Sequence, residues 1–126
     1  MNKQFNHTIV MDGYPTHVYE LIIDGSSVGE IEQRIPNLVQ SQIGSKNECI
    51  THLYVVAKYR GKGYGRELVE FFENKARSQG ANWIEVNSSK SAESFYEHLG
   101  FIKTPSGILG QVLKYLGITG QYYKPI

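Results

Sequence analysis

Ile50-Thr51-His52-Leu53-Tyr54-Val55-Val56, followed by Arg60-Gly61-Lys62-Gly63-Tyr64-Gly65 and then Arg66-Glu67-Leu68-Val69-Glu70-Phe71-Phe72-Glu73-Asn74-Lys75-Ala76, decides how this chain folds. The first run is apolar and β-rich, and the last has helical spacing. A strand that turns through three glycines into a helix N-terminus is a place to hold phosphate. Glycines let a ligand approach the backbone, and the first helical turn presents N–H groups without intrahelical partners. The macrodipole adds partial positive charge there, and Arg60, Lys62 and Arg66 add full charges. The spacing is not that of the Walker loop, which needs Lys-Ser/Thr after its last glycine. Nor is it the dinucleotide fingerprint, with its acidic residue about 20 positions on. Taken alone, the loop equally fits a tight turn with solvated bases.

Working outward, Tyr64, Leu68, Phe71, Phe72 and Ala76 form one buried helical face, and Gly80 stands where a C-terminal cap belongs. Residues 82–87 read as a strand. Ser89 or Ser91 can cap a short helix carrying Ala92, Phe95, Tyr96 and Leu99, closed by Gly100. Strands are expected from 101 and over 118–124. On the other side, 5–11 and 17–23 read as strands joined by the turn Asp12-Gly13-Tyr14-Pro15, and 28–34 makes a hairpin through Asp24-Gly25-Ser26-Ser27. A polar, irregular stretch covers 36–47, and one strand covers 48–56. Strands first, then β-α-β-α-β-β, predict a mixed α/β (α+β) domain on one sheet.

At 126 residues the chain is expected to form a single domain, 1–126. Thirteen basic and twelve acidic residues give a net charge of +1, which argues against a nucleic-acid partner. The lone Cys49 cannot form an internal disulfide, reads as a small buried residue, and fits a reducing, cytoplasmic compartment. No charged-then-apolar leader opens the sequence, and no apolar run approaches the roughly 20 residues of a membrane span, so no membrane partner is expected.

The combination resembles the GNAT superfamily of N-acetyltransferases. Arg60-Gly61-Lys62-Gly63-Tyr64-Gly65 fits its R/Q-x-x-G-x-G/A acetyl-CoA loop, and residues 53–59 fit the strand and turn before it. Ser94-Phe95-Tyr96-Glu97-His98-Leu99-Gly100-Phe101 fits the late helix with its FY-x-x-LGF ending. The resemblance covers 48–103 well, and Gln121-Tyr122-Tyr123-Lys124-Pro125-Ile126 is compatible with the last strand. It implies a mostly antiparallel central sheet with a splayed parallel pair and flanking helices. It also implies acetyl-CoA as co-substrate, and no metal is expected.

By that resemblance, the pyrophosphate rests on the N–H groups of Gly61, Lys62, Gly63, Tyr64 and Gly65, with Arg60, Lys62 and Arg66 nearby. Pantetheine pairs with the free backbone of Leu53, Tyr54 and Val55, and Ser89 takes the place of a frequent CoA-contacting Asn. Tyr96 resembles the general acid that protonates the CoA sulfur; an ordinary phenol holds its proton at pH 7. It also fits the buried face of a helix. Glu85, Glu48 and His52 are candidate bases, with Glu48 and His52, at i and i+4, expected on one strand face. Each also reads as a surface or half-buried polar residue, and water can carry the proton instead.

The family usually inserts two helices between its first two strands, and they wall the acceptor site. The short turn at 12–15 leaves no room for them. An apolar stripe at Ile108, Leu109, Val112, Leu113 and Leu116 predicts an extra short helix. It is expected to cover the cleft, to dock on a second copy in a homodimer, or simply to pack on the sheet. Two functions are open: an N-acetyltransferase acting on a primary amine of a small molecule or protein, or a non-catalytic GNAT-fold module acting through a protein partner.

Overall fold

A computed structural model describes residues 1–34 and 47–126, the side chains of Asp12 and Asn47 excepted. The irregular stretch expected over 36–47 lies, but for Asn47, outside them. Strands β1 (Lys3–Asp12), β2 (Tyr14–Ile23) and β3 (Ser26–Arg34) form an antiparallel meander. The first turn is tighter than the sequence suggests. Asp12 pairs with Tyr14 around Gly13 at φ 74°, and Pro15 is already in the strand opposite Met11. Thr16 is the first β2 residue to pair with β3, so the N–H that Pro15 lacks is not needed on that side. The second turn places Asp24 and Gly25 at φ 49° and 82°, the left-handed pair of a type I′ turn that matches strand twist.

The single strand expected over 48–56 is two strands. β4 (Asn47–Ile50) pairs in parallel with β6 (Trp83–Val86), whereas β5 (His52–Val55) pairs antiparallel with β3. Thr51 is the break, held by its N–H and hydroxyl on the Glu32 carbonyl at 2.9 and 3.2 Å. Instead of one sheet there are two four-stranded ladders, β1-β2-β3-β5 and β4-β6-β8-β7, joined through that break. In the second, β7 (Ile102–Lys103) and β8 (Tyr122–Pro125) run antiparallel. The last strand starts at Tyr122 rather than 118, because Thr119 and Gly120 turn to donate their N–H groups to Glu85.

Helix α1 (Tyr64–Ser78) follows the glycine loop and packs against β3, β5 and β6. It buries Leu68, Val69, Phe72 and Ala76, with Tyr64 and Phe71 partly covered. Leu21, Ile31, Leu68, Ile84 and Tyr122 are wholly excluded from solvent at the centre of the core. Helices α2 (Glu93–His98) and α3 (Gly107–Tyr115) are shorter. All three helices end in the same way. A glycine at positive φ (Gly80, Gly100, Gly117) donates three residues back, and the next residue donates to the carbonyl five back. These are Schellman closures, which satisfy the last carbonyls and fix the exit of the chain.

Candidate functional site

Gly61 and Gly63 have φ of 79° and 86°, and a Cβ added at either would meet open space. The backbone is therefore open to close approach, and the positive φ favours glycine at both positions. Gly63 is the N-cap of α1 and offers no side-chain cap. Among the described residues, no backbone N–H of 61–66 donates to a protein acceptor. The first that does is Glu67, to the Gly63 carbonyl at 3.1 Å. A run of free N–H groups at a helix N-terminus is an anion nest.

The flanking bases are deployed unequally. Arg60 Nε donates to the Val55 carbonyl at 2.9 Å, and its guanidinium lies 5.6 Å from the Tyr54 ring centre. Arg66 pairs with Glu70 one turn on, at 3.0 Å. Lys62 has no ion pair among the described residues. Tyr64 packs edge-on against Tyr59. Beside the loop, among the described residues β5 hydrogen-bonds as a strand with β3 alone, so the other backbone edge of Leu53, Tyr54 and Val55 meets no described strand and only the Val55 carbonyl is taken, by Arg60.

Gly65 links this loop to α2: a Cβ there would lie 3.3 Å from the Phe95 ring. The next residue, Tyr96, is 5% exposed, wedged edge-on between Phe95 and Phe101. Its carbonyl accepts the Phe101 N–H at 3.1 Å in the Schellman closure, so the Leu-Gly-Phe ending is what holds Tyr96 in place. The hydroxyl has no hydrogen-bond partner among the described residues, yet no described buried side-chain polar atom is left unsatisfied, so it reaches solvent. Burial, then the neighbouring Cys49 sulfur, pushes this phenol up to about 12. Cys49 itself is pushed up to about 11 by burial and the nearby Glu85 and Glu48 carboxylates, so it remains a thiol. Ser89 is exposed, its hydroxyl 3.3 Å from that of Ser91. Neither serine side chain caps the turn before α2; the Ser89 carbonyl accepts from Ala92 instead.

The three candidate bases do not share a place. Glu85 is 1% exposed and accepts from Trp83 Nε1 and the Thr119 N–H at 2.9 Å each, and from the Gly120 N–H. It clamps the turn that begins the last strand. Glu48 is half-buried, takes the Gln33 side-chain amide, and is pushed up by burial. His52 lies 4.0 Å from the Glu32 carboxylate and stacks on Tyr54. The expectation that Glu48 and His52 share a strand face is wrong. Gln33 and Glu32 are consecutive on β3 and point to opposite faces, so their partners do too. The i, i+4 rule holds only within one strand, and Thr51 interrupts it.

The two faces of the first sheet differ. On one, Phe5 stacks on Phe71, and Tyr19 meets Phe71 and Phe72 of α1. On the other, Val10, Thr16, Glu32, Arg34, Thr51 and His52 line a depression of about 380 Å³. Glu30 adjoins it, with carboxylate and imidazole atoms of Glu30, Glu32 and His52 all within 4.8 Å of one another. Sequence reading missed Glu30, Glu32 and Arg34. Their only signal was β3 alternation, and what they face depends on a partner strand 20 residues away.

Helix α3 forms as expected but buries none of its residues; Ile108 is 83% and Tyr115 92% exposed. The expectation that it packs on the sheet is overturned: within the helix only Gly110 and Leu113 are even partly covered. No described helix is long and apolar enough to cross a membrane.

A family model described as an acetyltransferase (GNAT) domain matches residues 4–114. An uncharacterized acetyltransferase of Streptococcus pyogenes serotype M1 is 35% identical over 52 residues, 41% of this chain and 37% of that protein. An uncharacterized N-acetyltransferase of Gracilaria tenuistipitata var. liui is 30% identical over 66 residues, 52% of this chain and 36% of that protein. The matched segments thus span little more than a third of these relatives. Among solved structures, Tetrahymena GCN5 superposes with a TM-score of 0.66 at 16% identity, covering 88% of this chain and 68% of that one. The PaiA N-acetyltransferase of Thermoplasma acidophilum, solved with coenzyme A, gives 0.64 at 18% identity over 88% and 61%. At these identities the likeness speaks for the fold.

Proposed function

The chain belongs to the GNAT acetyltransferase family, and from that premise we propose that it transfers the acetyl group of acetyl-CoA to a primary amine. The observation that carries this reading is the run of N–H groups over 61–66 and the edge of β5, neither paired in backbone hydrogen bonds among the described residues. Pyrophosphate would sit on the first, and pantetheine amides would pair with Leu53, Tyr54 and Val55 on the second. Lys62, with no protein ion pair among the described residues, is the side chain best placed to add charge at the phosphates, with Arg60 and Arg66 beside it. The reaction is read as cytoplasmic, in keeping with the lone thiol of Cys49.

The amine must arrive neutral, the carbonyl must be polarised, and the leaving sulfur needs a proton. The amine nitrogen bonds to the thioester carbon as the C–S bond breaks. Tyr96 gives its phenolic proton to the departing sulfur and is reprotonated from solvent, which its hydroxyl reaches. Of the three base candidates, His52 fits best. It is the first residue of β5, just past the Thr51 break at which the chain leaves β6, and is exposed to an acceptor, with Glu32 to orient its ring and stabilise the imidazolium. Glu48 faces the α1 side, and Glu85 is saturated by donors.

Acetyl-CoA at a hundredfold excess over its Kd should stabilise the native state by about 2.7 kcal/mol, several degrees of Tm. No rise in Tm would remove the donor reading. Tyr96→Phe should lower kcat by roughly 10²–10⁴ while leaving the acetyl-CoA Kd unchanged. An unchanged kcat would remove the acid role.

A further inference from the structure

The depression on the face away from α1 carries opposite charges at two places. Val18 pairs with Glu32 and Thr16 with Arg34, so the carboxylate and the guanidinium project from one face of β3, two residues apart. Successive same-face residues of a strand lie about 6.5–7 Å apart. No described ion pair joins the two; the Arg34 guanidinium instead lies 5.9 Å from the Tyr14 ring centre. Around Glu32 the charge is negative, with Glu30 beside it and His52 directly opposite on β5. Among the described lining residues, those beside Arg34 carry no charge: Val10, Thr16 and Thr51. The Arg34 N–H is pinned to the Thr51 hydroxyl at 3.0 Å, so this end is tied to the same break at which β5 departs.

We infer that the acceptor is a small amino-carboxylate, whose ammonium group is taken by Glu32 and His52 and whose carboxylate is taken by Arg34. This inference rests on the proposed acetyl transfer and names the acceptor class of that site. The volume of about 380 Å³ is at the small end of ligand pockets, which suits a free amino acid better than a protein segment. A guanidinium is the natural partner for a carboxylate, because its planar fork matches the two oxygens. The ammonium gives one proton to the His52 imidazole. The neutral amine then attacks the thioester, its second proton leaves to water as the amide forms, and CoA departs as the thiol with the Tyr96 proton. The products are an N-acetylamino-carboxylate and free CoA.

A small zwitterion needs two charged anchors rather than a long groove, and both anchors come from β3.

The test compares L-amino acids with their amides and with the corresponding decarboxylated amines, reading CoA thiol release. The acids should exceed both other sets in kcat/KM by about 10- to 100-fold, the value of a charge-assisted pair. Arg34→Met should collapse the acids to the level of their amides, and Arg34→Glu should shift preference to diamines. The rise in Tm with acetyl-CoA should persist in both variants, which shows that they fold and keep the donor site. Equal rates across the three sets, or discrimination surviving in Arg34→Met, would overturn the inference. So would a panel without turnover in a protein that acetyl-CoA stabilises, and that outcome leaves the donor reading standing. Failure of acetyl-CoA to stabilise the wild type would instead strike the donor reading. Amino acid binding followed by NMR at the Arg34 and His52 side chains then decides the acceptor site by itself: shifts absent from Arg34→Met support it, and no shifts overturn it.

Discussion

The two sides of the β5 strand are built by different means. Toward α1 and α2 the features are backbone: N–H groups over 61–66 and a strand edge that meet no backbone partner among the described residues. Toward the opposite face they are side chains, with Glu30, Glu32 and Arg34 from β3 meeting His52 from β5. A backbone site depends on φ angles and glycine, and many sequences can carry it for one donor. A side-chain site changes with every substitution, which suits a surface that selects an acceptor. On the proposed reading, donor and acceptor would be selected by physically separate parts of the molecule.

That separation is open to direct attack. The largest effect is expected from Gly63→Glu, which forces a side chain into φ 86° and sets a carboxylate against the phosphates. Acetyl-CoA affinity should fall by at least about 100-fold in calorimetric titration, since like charges in contact cost several kcal/mol. An unchanged affinity would show that the donor is not held there.

Glu85→Gln comes next. The substitution removes a buried carboxylate that takes three N–H donors and leaves an amide facing some of them. Urea unfolding should show a loss of about 1.5–3 kcal/mol. Because Glu85 is read as a clamp rather than the base, the pH profile of kcat should keep its wild-type midpoint. A lost acidic limb would return Glu85 to the chemistry.

Gly29→Ala probes the seam between the two sides. Its Cβ would stand 2.6 Å from the Tyr54 carbonyl, so β5 must shift away from β3. The expected cost is about 1–3 kcal/mol of stability. Loss of both acetyl-CoA binding and turnover should accompany it, since β5 serves both sides; loss of one alone would argue that the sides are not joined through β5.

The smallest effect concerns the α1 face of the first hairpin. His7 Nε2 and His17 Nδ1 lie 2.8 Å apart, with Tyr19 stacked alongside and Lys75 over the Tyr19 ring. Burial, with Lys75 and for His17 also His7 itself, lowers both imidazoles from the ordinary 6.5. Between the lowered value and 6.5 the unfolded chain binds more protons, so stability present above 6.5 is lost as pH falls. His17→Gln should flatten the acid limb of Tm against pH while leaving acetyl-CoA binding intact.

Much of the fold could be read from local patterns. The glycine loop, the apolar face of α1 and the glycine stops after α1 and α2 are each determined within a few residues. The Phe-Tyr…Leu-Gly-Phe box was legible for the same reason: Gly100 and Phe101 act directly on Tyr96. The break at Thr51 was not legible, because nothing local distinguishes one nine-residue strand from two that belong to different sheets. The faces of Glu48 and His52 were lost with it. The role of Glu85 was hidden too, since its donors at Thr119 and Gly120 lie 34 and 35 residues away.

By itself, then, the sequence determined local features: a glycine turn, a helix start without a side-chain cap, and a tyrosine held by its own helix stop. Such features depend on φ, ψ and bonds that span at most five residues. Tertiary structure alone decided the side-chain face shared by β3 and β5, and with it the free edge of β5. Which residues share a face follows from the register of β3 against β5 and from the point at which the chain changes sheets, and both are set by pairing across the whole core.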